Sequence, residues 1–263
     1  ITVDAGRLQR AKQAGVLQPT NSPILKKRIP NSLRDREDYW FGLSQRARTI
    51  IYNKNRVDVA KLSTYEELAS TQWKGRLCIR SSGSVYNQSL VASMIEVNGI
   101  EKTETWARGL VENFARPPTG GDTDLLKATA AGQCDIALAN TYYLGRLINS
   151  KISSDRKAAQ KLAVFWPNQG QGDRGVHVNV SGAGLTKFAR NKKEAILLLE
   201  FLVTDESQKW YAEVNNEYPV VIGAEISDTL KNFGNFKADN INLTILGVNN
   251  PAAVKLMDRA GWR

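Results

Sequence analysis

The sequence predicts an α/β protein in which short strands alternate with helices. Apolar segments such as residues 77–79 and 136–139 alternate with stretches of helical periodicity, among them residues 86–97. This alternation favours a largely parallel sheet covered by helices. Apolar residues make up 42% of the 263 residues and charged residues 24%, which are ordinary values for a globular chain. No stretch approaches the roughly 20 uncharged apolar residues that a membrane helix needs.

The elements are predicted in order from local signals. Residues 1–4 form an apolar strand and residues 5–15 a helix, and because such a strand must pair, we expect the chain to begin inside a domain. Residues 18–38 contain three prolines and few apolar side chains, and are expected to form a long surface loop. Further strands are predicted at residues 39–44, 48–53, 77–80, 136–139, 163–166 and 175–181. Further helices are predicted from residue 63 and at residues 86–97, 103–114, 122–131, 141–148, 193–203, 205–214 and 252–259.

The chain is basic, with 36 lysines and arginines against 26 aspartates and glutamates, a formal charge of +10. Such a balance raises the question of nucleic-acid binding. The basic clusters at residues 26–28, 34–38 and 192–193 are scattered, however, and several are mixed with acids. No helix-turn-helix, zinc finger or aromatic RNA motif accompanies them. We therefore expect no nucleic-acid partner, and basic side chains spread over the whole surface.

The two cysteines, Cys78 and Cys134, lie 56 residues apart in apolar segments. They form no CxxC motif, and with a single histidine in the chain a zinc site is not expected. Two alternatives remain: a disulfide in an oxidising compartment, or two buried thiols. In an oxidising compartment we expect the bond, which requires Cα atoms within about 7 Å.

Signals for catalysis are weak. The one histidine, His177, lies among alternating valines and is expected to be a structural residue hydrogen-bonded within a strand. No nucleophile elbow precedes a helix, and Ser181–Gly184 lacks the Lys and Ser/Thr of a phosphate-binding loop. Asp122 and Asp124 begin a predicted helix, where carboxylates act as caps more readily than as a metal pair. The sequence therefore does not favour an enzyme.

Three of the eight tyrosines stand where ligands bind in α/β sheets. Tyr142 and Tyr143 directly follow the predicted strand at residues 136–139, and Tyr86 follows the strand at residues 77–80 through a polar loop. Carboxyl ends of neighbouring parallel strands meet at one edge of the sheet. Hard trivalent cations prefer anionic oxygen, and a bound cation displaces the phenolic proton. A ferric site is one interpretation, and ordinary packing or stacking of the rings is the other.

A family resemblance favours the first interpretation. The segments ITVDAGRLQRA (residues 1–11), NTYYLGR (140–146) and GVHVNVSGAG (175–184) resemble bacterial periplasmic ferric-iron-binding proteins. The segments LCIRSS (77–82) and YNQSL (86–90) are most similar to the cyanobacterial FutA type. The resemblance covers nearly the whole chain.

The resemblance implies a two-lobed periplasmic-binding-protein (transferrin-like) fold with the ligand between the lobes. Residues 48–53 and 176–181 would cross between them. Lobe one would contain residues 1–49 and the returning segment 177–228, and lobe two residues 50–176. The C-terminal segment 229–263 would belong mostly to lobe two.

The resemblance also implies the site. Tyr86, Tyr142 and Tyr143 match the family's tyrosine ligands to Fe(III), and Arg46 matches a cationic residue that faces the metal. Arg146, one helical turn after Tyr143, is a further candidate neighbour. The family uses another tyrosine near the mature N-terminus that no segment here matches. We therefore expect lobe one to be partial, with upstream strands missing, and the remaining ligands to come from that segment, water or an anion.

The expected function is that of a ferric-iron-binding protein of an ABC-type iron importer, not of an enzyme. The family places it in the periplasm after removal of a signal peptide, with association to the membrane as a variant. The expected partner is an ABC-type iron permease in the inner membrane, and a monomer is expected. The main alternative is a protein of the same fold that binds an anion or a small organic solute, with the tyrosines stacking on it or hydrogen-bonding to it. An enzyme of this fold and a DNA-linked regulator domain are more distant alternatives.

Overall fold

The structure is a computed structural model that describes residues 2–263 of the chain. Its strands are β1 Thr2–Asp4, β2 Leu17–Gln18, β3 Phe41–Asn53, β4 Leu77–Cys78, β5 Ile136–Asn140, β6 Leu162–Phe165, β7 Val178–Ala183, β8 Leu185–Thr186 and β9 Tyr218–Pro219. Its α-helices are α1 Ala5–Gln13, α2 Pro23–Arg28, α3 Val85–Asn98, α4 Ile100–Glu112, α5 Asp122–Ala130, α6 Thr141–Ile148, α7 Ser153–Ala159, α8 Lys192–Leu202, α9 Asp205–Trp210, α10 Asp228–Asn232, α11 Ile245–Val248 and α12 Asn250–Arg259. Four short 3-10 helices and one π-helix, Tyr211–Asn215, complete the secondary structure of these residues.

The long strand β3 organises the sheet. Residues 41–47 of β3 pair with β7, and Ser44 and Gln45 also pair with β9. From Arg48 onward the partners change, so that residues 48–52 pair with β5 and residues 50–53 with β6. One 13-residue strand thus joins two groups of strands, where the sequence predicted two separate strands at residues 39–44 and 48–53.

The sheet is mostly antiparallel, so the predicted largely parallel sheet is wrong. Within residues 2–263, β3 runs antiparallel to β5, β6, β7 and β9, and β1 runs antiparallel to β7. β4 and β5, the strands that precede the tyrosines, are parallel. The alternation of strands and helices in the sequence does not reveal the relative direction of strands that are joined by long connections, such as β3 and its partners. The two strands whose parallel arrangement matters for the tyrosines, β4 and β5, are parallel as predicted.

Two apolar clusters lie on opposite faces of the second half of β3. Ile50 belongs to the larger cluster and its neighbour Ile51 to the smaller one, because successive side chains of a strand point to opposite faces. The last helix, α12, packs against α3 and α4, and the Trp262 indole donates to the carbonyl oxygen of Arg80 at 2.9 Å. The C-terminal segment therefore buttresses the helix that carries Tyr86.

The predicted surface loop at residues 18–38 is also wrong. Part of it is the short helix α2, capped by the Ser22 hydroxyl, which accepts from the Leu25 amide at 3.2 Å. Leu25, Ile29 and Leu33 are buried. Their four-residue spacing and the Ser-Pro helix start were available in the sequence, but the surrounding lysines and arginines obscured them.

No helix within residues 2–263 has both the length and the apolar character that crossing a membrane requires.

Candidate metal centre

The structure brings the three predicted tyrosines together. Tyr86 lies in the first turn of α3, and Tyr142 and Tyr143 lie in the first turn of α6. The Tyr142 hydroxyl oxygen is 3.1 Å from that of Tyr86, and the Tyr143 hydroxyl oxygen is 3.4 Å from it. Because β4 and β5 are parallel neighbours, the helices that follow them start at the same edge of the sheet.

The side chains of adjacent helical residues point about 100° apart. The hydroxyl groups of Tyr142 and Tyr143 can therefore reach one position only if the two side chains bend toward each other. Their ring centroids are 4.3 Å apart and the ring planes are 32° apart. The two rings therefore lie nearly side by side, and both hydroxyl groups reach Tyr86.

The three phenols differ in acidity. Burial acts to raise the pKa of Tyr86, but hydrogen bonds from Tyr142 and Tyr143 and the charge of Arg46 outweigh it, and the pKa is lowered. The pKa of Tyr142 is raised, chiefly by burial and then by its bonds to Tyr143 and Tyr86. Burial also raises the pKa of Tyr143. Tyr86 is therefore the most acidic of the three phenols.

Cationic side chains surround the Tyr86 ring. The guanidinium carbons of Arg46, Arg48 and Arg80 lie 5.8, 5.7 and 5.2 Å from its centroid. Arg46 donates to the Ser181 hydroxyl at 2.7 Å, and its Nε atom is buried with no hydrogen-bond partner among residues 2–263. The structure therefore places the predicted Arg46 beside the tyrosines with a donor still free.

Arg146 lies against the rings of Tyr142 and Tyr143. Its guanidinium carbon is 4.9 Å from the ring centroid of Tyr142 and 5.6 Å from that of Tyr143. Guanidinium groups over phenol faces are attracted by the ring quadrupole. Arg146 therefore packs on the rings, and it is their neighbour as the sequence predicted.

The sequence analysis missed Arg48 and misread Asp122. Arg48 is 2% exposed, and its Nη1 atom lies 3.1 Å from an oxygen of the fully buried Asp122. A cap was expected of both Asp122 and Asp124, and only Asp124 supplies one, accepting from the Gly121 amide at 2.8 Å. An arginine in a predicted apolar strand signals a buried carboxylate partner, and that signal was available.

His177 is buried and its backbone is hydrogen-bonded to β3 through the Arg48 amide, as predicted for a structural residue. Its backbone amide donates to the Tyr65 hydroxyl at 3.1 Å, whereas Nδ1 has no partner among the described residues. Burial, followed by the charges of Arg174, Arg48 and Arg46, holds the pKa of His177 well below its usual value. The ring lines a small cavity with room for about one water molecule, bounded by Arg46, Arg48, Tyr86, Asn140, His177 and Asn179.

The two cysteines are joined in a disulfide, so of the two alternatives the bond is confirmed. The Cα atoms of Cys78 and Cys134 are 5.8 Å apart. Cys78 ends β4 and Cys134 lies two residues before β5. The bond therefore ties the two segments that lead to the tyrosines.

Residues 2–263 contain no group of three or more histidine, cysteine, aspartate or glutamate side chains that could hold a metal ion. The tyrosine cluster offers hard oxygen donors of another kind, the three phenol hydroxyl groups.

Fold and site together are those of a solute-binding protein. Residues 1–238 match the family of bacterial extracellular solute-binding proteins, and the chain belongs to that family. The predicted fold class, an α/β chain of the two-lobed periplasmic-binding type, is confirmed by structures of its relatives.

The relatives include iron-uptake proteins. The chain is 48% identical to iron uptake protein A2 of Synechocystis sp. over 262 residues, which cover 100% of this chain and 76% of the relative. The structure of FutA (IdiA) from Trichodesmium in complex with iron and citrate is 55% identical, with a TM-score of 0.96 over 99% of this chain and 82% of that one. The ferric binding protein from Campylobacter jejuni is 39% identical, with a TM-score of 0.94 over 99% and 82% of the two chains.

Proposed function

We propose that this protein binds ferric iron in the periplasm and delivers it to an ABC-type iron permease in the inner membrane. The observation that carries the proposal is the convergence of three phenol groups. The hydroxyl oxygens of Tyr142 and Tyr143 both lie within 3.4 Å of the hydroxyl oxygen of Tyr86. The iron-uptake and ferric-binding proteins among the relatives support it.

The geometry suits a small, hard cation. Oxygen ligands about 2 Å from a shared octahedral cation lie about 3 Å from one another. The hydroxyl oxygens of Tyr142 and Tyr143 lie 3.1 and 3.4 Å from that of Tyr86, so small shifts would allow all three to bind one ion. Three phenolates neutralise the charge of Fe(III), and Arg46 offsets further negative charge from water-derived or anionic ligands.

The protein performs no reaction in this proposal; it binds the ion and releases it. Lobe one comprises residues 1–49 and 177–228, and lobe two comprises residues 50–176 with most of 229–263. The change of partners along β3 at Arg48 supports a boundary there. The protein acts as a monomer without a nucleic-acid partner.

An alternative is a protein that binds an anion or a small organic solute, with the tyrosines as hydrogen-bond donors. One observation favours it: three arginines surround Tyr86. Colour separates the two functions, because tyrosinate bound to Fe(III) gives a visible charge-transfer band and an organic anion does not.

The test is the double variant Tyr142→Phe/Tyr143→Phe, which keeps both rings and removes two oxygens. We expect the parent loaded with ferric citrate to be coloured. In the variant the colour should be lost or strongly shifted, and iron should bind at least about 100-fold more weakly, since ligand loss exceeds the roughly 10–100-fold cost of losing an outer contact. The matched control is Tyr218→Phe, which removes a buried hydroxyl that has no partner among residues 2–263. Iron binding by the double variant equal to that of the control would contradict the proposal.

A further inference from the structure

The structure contains a buried network that links the helix of Tyr86 to the helix of Tyr142 and Tyr143. We infer that Arg48, acting through Asn87 and Asp122, is a positioning residue that sets the spacing of the three phenol oxygens. The inference rests on the proposed ferric function and adds to it the residues that arrange the ligand set.

Arg48 stands at the point of β3 where pairing passes from β7 to β5. Its Nη2 atom donates to the side-chain oxygen of Asn87 at 2.6 Å and to the carbonyl oxygen of Leu138 at 2.9 Å. Its Nη1 atom donates to Asp122 at 3.1 Å. The planar guanidinium therefore holds groups on both sides in fixed directions.

The Asn87 contact fixes the segment that carries Tyr86. Asn87 follows Tyr86 directly and is fully buried. Its amide nitrogen donates to the carbonyl oxygens of Arg80 and Ser81 at 2.7 and 3.1 Å. These bonds close the loop between β4 and α3, so the position of that loop follows the position of Arg48.

The Asp122 contact fixes the segment that carries Tyr142 and Tyr143. The Asp122 oxygen that accepts from Arg48 also accepts from the backbone amide of Asn140 at 3.0 Å. Asn140 is the last residue of β5, and α6 begins with the next residue. The start of α6 is thereby tied to the same guanidinium as the start of α3.

Energetics favour a positioning role over a stabilising one. A buried ion pair often contributes no more to stability than apolar side chains of similar volume, because both charges must leave water. A planar guanidinium group with several fixed hydrogen-bond partners does, however, restrict the positions of those partners. Here the guanidinium of Arg48 restricts the two loops whose tyrosine oxygens must lie about 3 Å apart to share one cation.

The experiment compares two buried asparagines. Asn87→Ala removes the link between Arg48 and the Tyr86 loop. Asn113→Ala is the matched control: Asn113 is also buried, and its amide donates to the carbonyl oxygens of Leu68 and Ser70 at 2.9 and 2.7 Å, away from the tyrosines. We expect similar losses in Tm from both variants. Only Asn87→Ala should weaken iron binding, by roughly 10–100-fold as for other outer contacts of metal ligands, and shift the charge-transfer band.

The band position is read per bound iron, so a variant that folds only in part still reports on geometry. Equal iron affinities and band positions for Asn87→Ala and Asn113→Ala would overturn the inference. A colourless parent would instead overturn the proposed function, and the inference with it.

Discussion

Two of the arginines that set the charge of the site, Arg46 and Arg48, are buried in β3, and the buried His177 immediately precedes β7. Because the imidazole is neutral, it adds no positive charge to that of the neighbouring guanidinium groups. Protonation of His177 would add a further cation to a buried region near Arg174, Arg48 and Arg46, which burial and these arginines oppose.

This environment predicts a pH dependence of stability. The pKa of His177 is lowered in the folded protein, so below about pH 6.5, the ordinary value for histidine, the unfolded chain binds a proton that the folded one does not. Its contribution is therefore fully present above pH 6.5 and is lost as the pH falls, by up to about 1.4 kcal/mol per pH unit. We expect the Tm of the metal-free parent to fall more steeply between pH 7 and 5.5 than that of His177→Gln.

The comparison isolates one group, because His177 is the only histidine in the chain. Carboxylates titrate in both proteins and cancel in the difference. Parallel Tm curves for the parent and His177→Gln would show that His177 carries no such linkage.

The sequence predicted the candidate ligands better than it predicted the residues that position them. The three tyrosines follow their strands closely along the chain, so the order of elements in the sequence was enough to predict that they meet at one edge of the sheet. Arg48 and Asp122 are 74 residues apart and meet only because α5 packs beside β3. No local pattern encodes such a pair, although an arginine within an apolar strand indicates that some partner exists.

At the scale of elements, the disulfide and β3 both connect to the strands that precede the tyrosines. The bond joins the end of β4 to the turn before β5, and β5 in turn pairs with β3. Helix α2 shows where prediction at this scale failed: its apolar residues are spaced correctly, but their lysine and arginine neighbours suggested a loop. Strand direction failed too, because it depends on long connections and not on local periodicity.

The disulfide should contribute to stability without contributing to iron binding. It closes a loop of 56 residues, for which the chain-entropy estimate is about 4 kcal/mol. We expect Cys78→Ala/Cys134→Ala to lose up to that much free energy of unfolding in urea while keeping the ferric colour at saturating iron. We expect the tyrosine spacing to persist because Arg48 still links the two loops when the disulfide is absent. A loss of colour in folded protein would contradict this division of roles.

At the scale of the whole molecule, the helix of Tyr142 and Tyr143 touches the segment that leads into β9. The Asn149 amide, at the end of α6, donates to the Asn216 side chain at 3.0 Å. Asn216 has a left-handed backbone with φ of 56° and precedes β9, which pairs with the first part of β3. The contact therefore joins the two groups of strands that β3 connects, at the end of the helix that carries Tyr142 and Tyr143.

Gly145 makes this approach possible. A Cβ atom at this position would lie 2.8 Å from both Cβ and Cγ of Asn216, closer than real contacts allow. Gly145→Ala should therefore push α6 away from Asn216 and displace the tyrosines with it. We expect iron affinity, measured by competition with citrate, to fall roughly tenfold, an effect at the lower end of outer-contact losses.

A second substitution separates steric displacement from a local defect in the helix. Asn216→Gly removes the opposing side chain, and glycine suits a φ of 56° without strain. Alanine in a helix interior is intrinsically more favourable than glycine, so Gly145→Ala should not weaken α6 itself. We therefore expect Gly145→Ala/Asn216→Gly to recover most of the affinity lost by Gly145→Ala, with Asn216→Gly alone close to the parent. If the double variant binds as weakly as Gly145→Ala, a clash with the Asn216 side chain is not the cause of the lost affinity.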